Sequence, residues 1–342
     1  MKLYIFIKTN MMKLILFVFI NIFFLNITFA QDGEYKIKGE IKGFPDNTWI
    51  YLSDLSDDSY KKIDSAKVIN NHIELKGKLV SNVFFASIHT NDYENRIKLW
   101  IDKTPIKINL EKDNFDDGVI IGSITQKKYI DFYKSIENIE NSQKQYLEFI
   151  KNNPSSILSV YFLRGLKNKV SKDSLILAFE QLNKDVKKSI YGVEISDFIN
   201  FKKDIKIGNQ FVDFEMANIS DKNIRLSDFK EKIVLLDFWA TWCGSCIEDL
   251  PNLKTIYDKY KSKGFEILGV SADSKKESLV NVINKFSIPW ENVSDYKGAK
   301  NKASIIYNIT EYPTNYLINK EGIIIAKDVN GKELEKVLNE LL

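Results

Sequence analysis

Reactive side chains are scarce in this chain: only two cysteines and two histidines occur in 342 residues. A tetrahedral zinc site needs four Cys or His ligands. His72 and His89 both lie in the N-terminal third and read as surface residues on their strands, so no metal site is expected. Excess charge of one sign is also lacking: 49 basic residues stand against 46 acidic ones, interspersed, for a net charge of +3. Without a basic stripe, nucleic acid is excluded as a partner. The front half has no clustered carboxylates, no nucleophile paired with a base and no Gly-rich phosphate loop, and no cofactor is expected. What remains, 44% apolar and 28% charged residues, is the composition of a folded globular protein. The length is too great for one ordinary core and suggests two or three units.

The longest apolar run is N-terminal. Lys13 precedes Leu14 to Ile27, interrupted by Asn21 and Asn26, and Thr28-Phe29-Ala30 leads into the polar Gln31-Asp32-Gly33. A basic start, a short apolar centre and a small residue at the cut form a secretory pattern over 1–30, with Met11 or Met12 as an alternative start. An uncleaved membrane anchor is the other reading, but the run is short for a span. No cysteine lies near the cut, so a lipid-modified cysteine is not expected there. Export would place the thiols in the periplasm or cell envelope, where disulfides persist.

Beyond that run the pattern changes twice. Residues 31–124 alternate in short strands punctuated by Gly, Asn and Asp ("YKIKGEIKG", "TWIYLSD", "HIELKGKL", "VFFASIHT", "IKLWID", "PIKINLEK"), as in an antiparallel β sandwich or barrel. Residues 125–204 carry apolar positions at three-to-four spacing ("YIDFYKSIENIENSQKQYLEFIKNN", "SSILSVYFLRGLKN", "KDSLILAFEQLNKDVKK") and read as a helical connector, with Pro154-Ser155-Ser156 capping the second helix. Residues 205–342 alternate strand and helix, an α/β layout.

Both cysteines fall in "WATWCGSC", where the buried strand "IVLLDFWA" gives way to an amphipathic helix. A helix start directs unpaired N–H groups and the positive dipole end at the first sulfur and stabilises its thiolate. Three-residue spacing there brings the second sulfur within disulfide reach. Cys243 is therefore expected to be the exposed attacking thiolate and Cys246 the shielded resolving thiol. A purely structural crosslink closing so small a loop would contribute little.

These residues carry a resemblance. "VLLDFWATWCGSC", Pro251 five residues after the second cysteine, and "YPTNYLI" resemble a thioredoxin fold over about 205–342. The lead-in from Gly208 to Phe214, "LSDFK" at 226–230, and the long stretch before "YPT" are most similar to envelope thioredoxins of the TlpA/ResA type. The resemblance implies several roles. Asp237 would be a buried carboxylate of raised pKa that takes the Cys246 proton through water. Pro313 would follow a cis bond, leaving the Tyr312 backbone free to pair with an extended substrate. Trp242 would shape the contact surface, Trp239 would be core, and Pro251 would kink the active-site helix. Gly244 and Ser245 would tune the potential, Ser245 standing where most relatives have proline. Ala217 occupies the place of a glutamate carried by cytochrome-maturation members. "WIDKTPIKINL" and "VIIGSITQKKY" resemble a small β domain that often precedes such thioredoxins.

The expected activity is that of an exported thiol–disulfide oxidoreductase reducing disulfides of envelope proteins, fed by an upstream membrane electron donor. Two alternatives remain. A peroxiredoxin-like peroxidase would need a Thr or Ser at Ala240 and a Pro at Leu236 to orient peroxide. A binding module would use the β domain, with the dithiol as regulator.

Overall fold

Period-two alternation turns the N-terminal third into strands. In β1 (Glu34–Lys42), Tyr35, Ile37 and Ile41 are buried between residues that reach solvent, the pattern of a sheet covered on one face. The computed structural model describes residues 33–57 and 60–342; the expected export signal, 1–30, lies outside them. After β1 come β2 (Trp49–Asp54), β3 (Lys61–Lys67), β4 (His72–Lys78), β5 (Val83–His89), β6 (Arg96–Asp102), β7 (Ile106–Glu111) and β8 (Val119–Ile121). They form two four-stranded sheets, β4-β1-β7-β8 and β3-β2-β5-β6. Ile37, Leu52, Phe84, Leu99, Ile108 and Leu110 close one apolar core between them, so the domain is a β sandwich.

Two details depart from expectation. The sandwich is not wholly antiparallel: β1 and β7 pair in parallel, Ile37 opposite Ile106 through Lys42 opposite Glu111. His89 is not a surface residue. It is fully buried, its Nε2 2.8 Å from Ser53 Oγ and its Nδ1 2.7 Å from the Thr90 carbonyl. Burial lowers its pKa, with the Lys62 charge adding to that. His72 is exposed.

The helical stretch begins with α1 (Ile124–Ile136), fastened to β6 by polar contacts. Gln126 Oε1 accepts from Trp100 N at 2.8 Å, and Asp102 Oδ2 accepts from Ser123 Oγ and Thr125 N. The segment read as one long helix is broken at 137–142, and α2 (Gln143–Asn152) follows. Next are α3 (Ile157–Leu166), α4 (Lys172–Glu180), α5 (Lys184–Lys187) and α6 (Ile190–Phe201). Ser156, Ser171 and Ser189 cap α3, α4 and α6 by accepting from backbone N–H groups in the first turn. The chain falls into two compact units, Met1–Gln145 and Tyr146–Leu342, with the boundary inside this stretch. In the second unit Glu194 of α6 is buried among Lys167, Arg164 and Lys300. Burial works to raise its pKa, but the three cations prevail and hold it down at about 2.

The α/β part opens with a hairpin, β9 (Glu215–Ala217) and β10 (Asn223–Arg225). Then come β11 (Ile233–Trp239), α7 (Gly244–Tyr260), β12 (Phe265–Ser271), α8 (Lys276–Phe286), β13 (Glu291–Val293), α9 (Lys302–Ile306), β14 (Thr314–Ile318), β15 (Ile324–Lys327) and α10 (Gly331–Leu341). The sheet order is β13-β12-β11-β14-β15, with β11, β12 and β13 parallel and β14 antiparallel to β11. All seven residues of β11 are buried, as a central strand covered on both faces requires. Leu235, Trp239 and Leu317 pack with α7, α8 and α10. Leu236, Phe238 and Tyr316 pack with Met216, Ile306 and Tyr307. The C-terminal part is a thioredoxin-like α/β domain, and the N-terminal part is a β sandwich. No helix among the described residues is long and apolar enough to cross a membrane.

Candidate active site

β11 ends at Trp239, and the turn after it must hold two cysteines in register with the helix that follows. A buried carboxylate fixes that turn. Asp273, just past β12, accepts from Thr241 N at 3.2 Å, from Thr241 Oγ1 at 2.5 Å and from Ser271 Oγ at 2.7 Å. Trp239 donates from Nε1 to Asn292 Oδ1 at 2.9 Å, which ties β11 to the segment containing β13. Removing the carboxylate strands buried donors, each worth about 1 to 3 kcal/mol. Asp273→Ala is accordingly expected to lower stability by about 2 to 3 kcal/mol, measured by urea denaturation at pH 7.

Cys243 is the N-cap of α7, and its sulfur accepts from Cys246 N at 3.2 Å. A donor from the first helical turn therefore points at the sulfur expected to attack. Cys243 and Cys246 are joined by a disulfide, their Cα atoms 5.2 Å apart. Cys243 does not stand exposed as expected: it is 7% accessible, Cys246 5%. In this oxidised state its sulfur is bonded to the shielded partner and shares the same apolar cluster. Exposure belongs to its neighbours. Gly244 and Ser245 are open to solvent, and Trp242 is 62% exposed, its ring edge-on to Tyr312 at 5.5 Å. Tyr312 is half-buried, its hydroxyl 3.3 Å from Ser304 Oγ, and the Tyr312–Pro313 bond is cis. Trp239 is core, and α7 runs on through Pro251 to Tyr260.

Beside the disulfide lies a cavity of about 310 Å³. Ser245, Cys246, Pro313, Asp237 and Asp249 line it. Cys246 thus faces the same space as two carboxylates. Asp237 is buried on β11, and no hydrogen bond reaches its carboxylate among the described residues. Burial, and after it the negative charge of Asp249, pushes its pKa up to about 7. A carboxyl group poised near neutrality beside a thiol is equipped to take up and return a proton.

The structure brings Cys243, Cys246, Asp237, Trp242, Tyr312, Pro313, Gly244 and Ser245 to one end of the sheet. Three contributors escaped the sequence reading. Asp249 sits three residues after Cys246 on α7, and helical spacing alone places both on one face. Asp273 had no local signal, because only the parallel pairing of β11 with β12 carries it to the turn. Asn315 holds the far wall: its Nδ2 donates to the Val329 carbonyl and its Oδ1 accepts from Val329 N, both at 3.0 Å. Ala217, in the hairpin, is half-buried opposite Asn223. Among the described residues no group of three or more His, Cys, Asp or Glu is placed to hold a metal.

Comparison with known proteins covers both halves. Residues 207–327 match the AhpC/TSA family, and residues 35–129 match a domain of unknown function, DUF4369. A thiol-disulfide oxidoreductase ResA from Bacillus cereus is 31% identical over 145 residues, 42% of this chain and 82% of the relative. The ResA of Bacillus subtilis is 30% identical over 141 residues, 41% of this chain and 76% of the relative. A solved thiol-disulfide oxidoreductase from Bacteroides fragilis shares 33% identity, with 39% of this chain and 100% of that chain aligned at a TM-score of 0.38.

Proposed function

The chain belongs to the ResA-type thiol–disulfide oxidoreductases of the AhpC/TSA thioredoxin-like family, and from that premise we propose that it is an exported reductase of envelope-protein disulfides acting through Cys243 and Cys246. The observation that carries this reading is the disulfide at the head of α7, opening beside a cavity that holds a carboxyl group of pKa about 7.

In the reduced protein the Cys243 thiolate, stabilised by the start of α7, attacks one sulfur of a substrate disulfide. The substrate S–S bond breaks, its other sulfur leaves as a thiolate, and a mixed disulfide with Cys243 forms. Asp237 then takes the Cys246 proton, and the Cys246 thiolate attacks the Cys243 sulfur. The second substrate sulfur leaves, two electrons having passed to the substrate, and the Cys243–Cys246 disulfide remains. An upstream dithiol, expected at the membrane, returns the pair to the reduced state and is itself oxidised. Trp242, Tyr312 and Pro313 form the surface that receives the polypeptide, and Gly244 and Ser245 set the potential. Residues 1–30 direct the chain to the periplasm or cell envelope and are then removed.

The test is turnover of insulin disulfides by the purified protein with dithiothreitol as donor. The expected result is reduction well above the rate of dithiothreitol alone. An equal rate with and without the protein would contradict the reading.

A further inference from the structure

Successive strand residues point to opposite faces of a sheet, and β14 uses this to serve two cavities. Asn315 lines the cavity beside the cysteines, whereas Tyr316 lines a larger one of about 490 Å³. This second cavity lies wholly within the unit formed by residues 146–342. Its size is that of a small-molecule site, and the disulfide chemistry makes no use of it.

The lining divides into two chemistries. Leu175, Phe198, Tyr307 and Tyr316 are buried and supply an apolar inner wall. The Tyr307 hydroxyl is committed to the Val212 backbone and turns no polar group inward. Outside this wall are five lysines, 167, 172, 202, 203 and 327, against a single carboxylate, Asp204. Several charges are already engaged. Lys167 pairs with Glu194 at 2.8 Å, Lys202 donates to Asn168 Oδ1 at 2.8 Å, Lys327 lies 3.5 Å from Asp328, and Asp204 pairs with Lys206. Lys172 and Lys203 are exposed, and neither side chain has a hydrogen bond or ion pair among the described residues. The crowding is felt at Lys202. Burial first, and then the like charges of Lys167 and Lys172, lower its pKa against the pull of Asp204. An apolar wall under uncompensated positive charge favours a ligand with an apolar body and one anionic head.

We propose that this cavity binds a small amphipathic anion, its apolar body against Phe198, Tyr307 and Tyr316 and its head between Lys172 and Lys203. Each half of such a molecule answers one half of the lining. The head gains charge-assisted hydrogen bonds from two exposed ammonium groups that make no hydrogen bond or ion pair among the described residues. The apolar body removes aromatic and aliphatic surface from water. The site faces away from the cysteines, so occupancy and disulfide exchange do not compete for space.

Titration calorimetry on the full chain with octanoate, octanol and inorganic phosphate as probes tests this. Octanoate is expected to bind saturably and at least about tenfold more tightly than either octanol, which lacks the charge, or phosphate, which lacks the apolar body. The double variant Lys172→Glu/Lys203→Glu should weaken octanoate about tenfold or more; its insulin-reducing rate serves as the check that it has folded. No saturable octanoate binding, equal binding of octanol, equal binding of phosphate, or an unchanged affinity in the folded double variant would each overturn the proposal.

Discussion

Asp237→Asn is expected to be about 4 kcal/mol more stable than the parent protein at pH 8 and nearly equal to it at pH 4. Burial and the Asp249 charge raise the Asp237 pKa from 3.8 to about 7 in the folded state. Between those two values the folded protein keeps the proton while the unfolded chain has lost it. Folding stability therefore falls as pH rises from about 4 through about 7, and stays at the lower level above that. Asparagine cannot ionise and escapes the penalty. The same substitution removes the base for Cys246, so kcat is expected to drop about a hundredfold at pH 7 and to lose its inflection near that pH. Urea denaturation of the oxidised protein at pH 4, 6 and 8, with kcat followed from pH 5 to 9, measures both effects. A stability difference independent of pH, or an unchanged rate profile, would remove Asp237 from the proton path.

Exchanging either cysteine for serine should have the largest effect on activity, and the two variants should differ in kind. Cys243→Ser removes the sulfur that caps α7 and is expected to reduce insulin turnover by about three orders of magnitude or more. Cys246→Ser leaves that sulfur and its helix start intact. It should still attack a disulfide but fail to release the product, so that a mixed disulfide accumulates.

The redox centre was legible because its determinants are local. A buried apolar strand, a dithiol at three-residue spacing and the start of an amphipathic helix lie within one short stretch from Ile233 to Tyr260. Asp237 stood out for a related reason, since a carboxylate inside a wholly apolar strand demands a reason for its burial. Asp273 was not legible, because its partner Thr241 lies in another strand–turn segment and the contact exists only through sheet pairing. Asp249 matters only once a cavity joins it to Asp237. In the sandwich, β3 was missed because "KKIDSAK" is mostly polar and largely exposed, and the partner strand β2 supplies the order that its own alternation does not. His89 was misplaced because alternation gives a strand residue's face but not the depth of the layer above it. Its stacking on Tyr93, at 4.1 Å between ring centres, is a contact with a loop residue.

Disulfide exchange at this site depends on the difference between the two sulfurs, and the rate of mixed-disulfide formation measures that difference directly. The reduced Cys246→Ser and Cys243→Ser proteins would each be mixed with one disulfide-bonded peptide and the adducts followed by mass spectrometry at pH 7. The predicted result is rapid adduct formation through Cys243 in Cys246→Ser, and formation at least about a hundredfold slower through Cys246 in Cys243→Ser. Equal rates, or a faster reaction through Cys246, would contradict it.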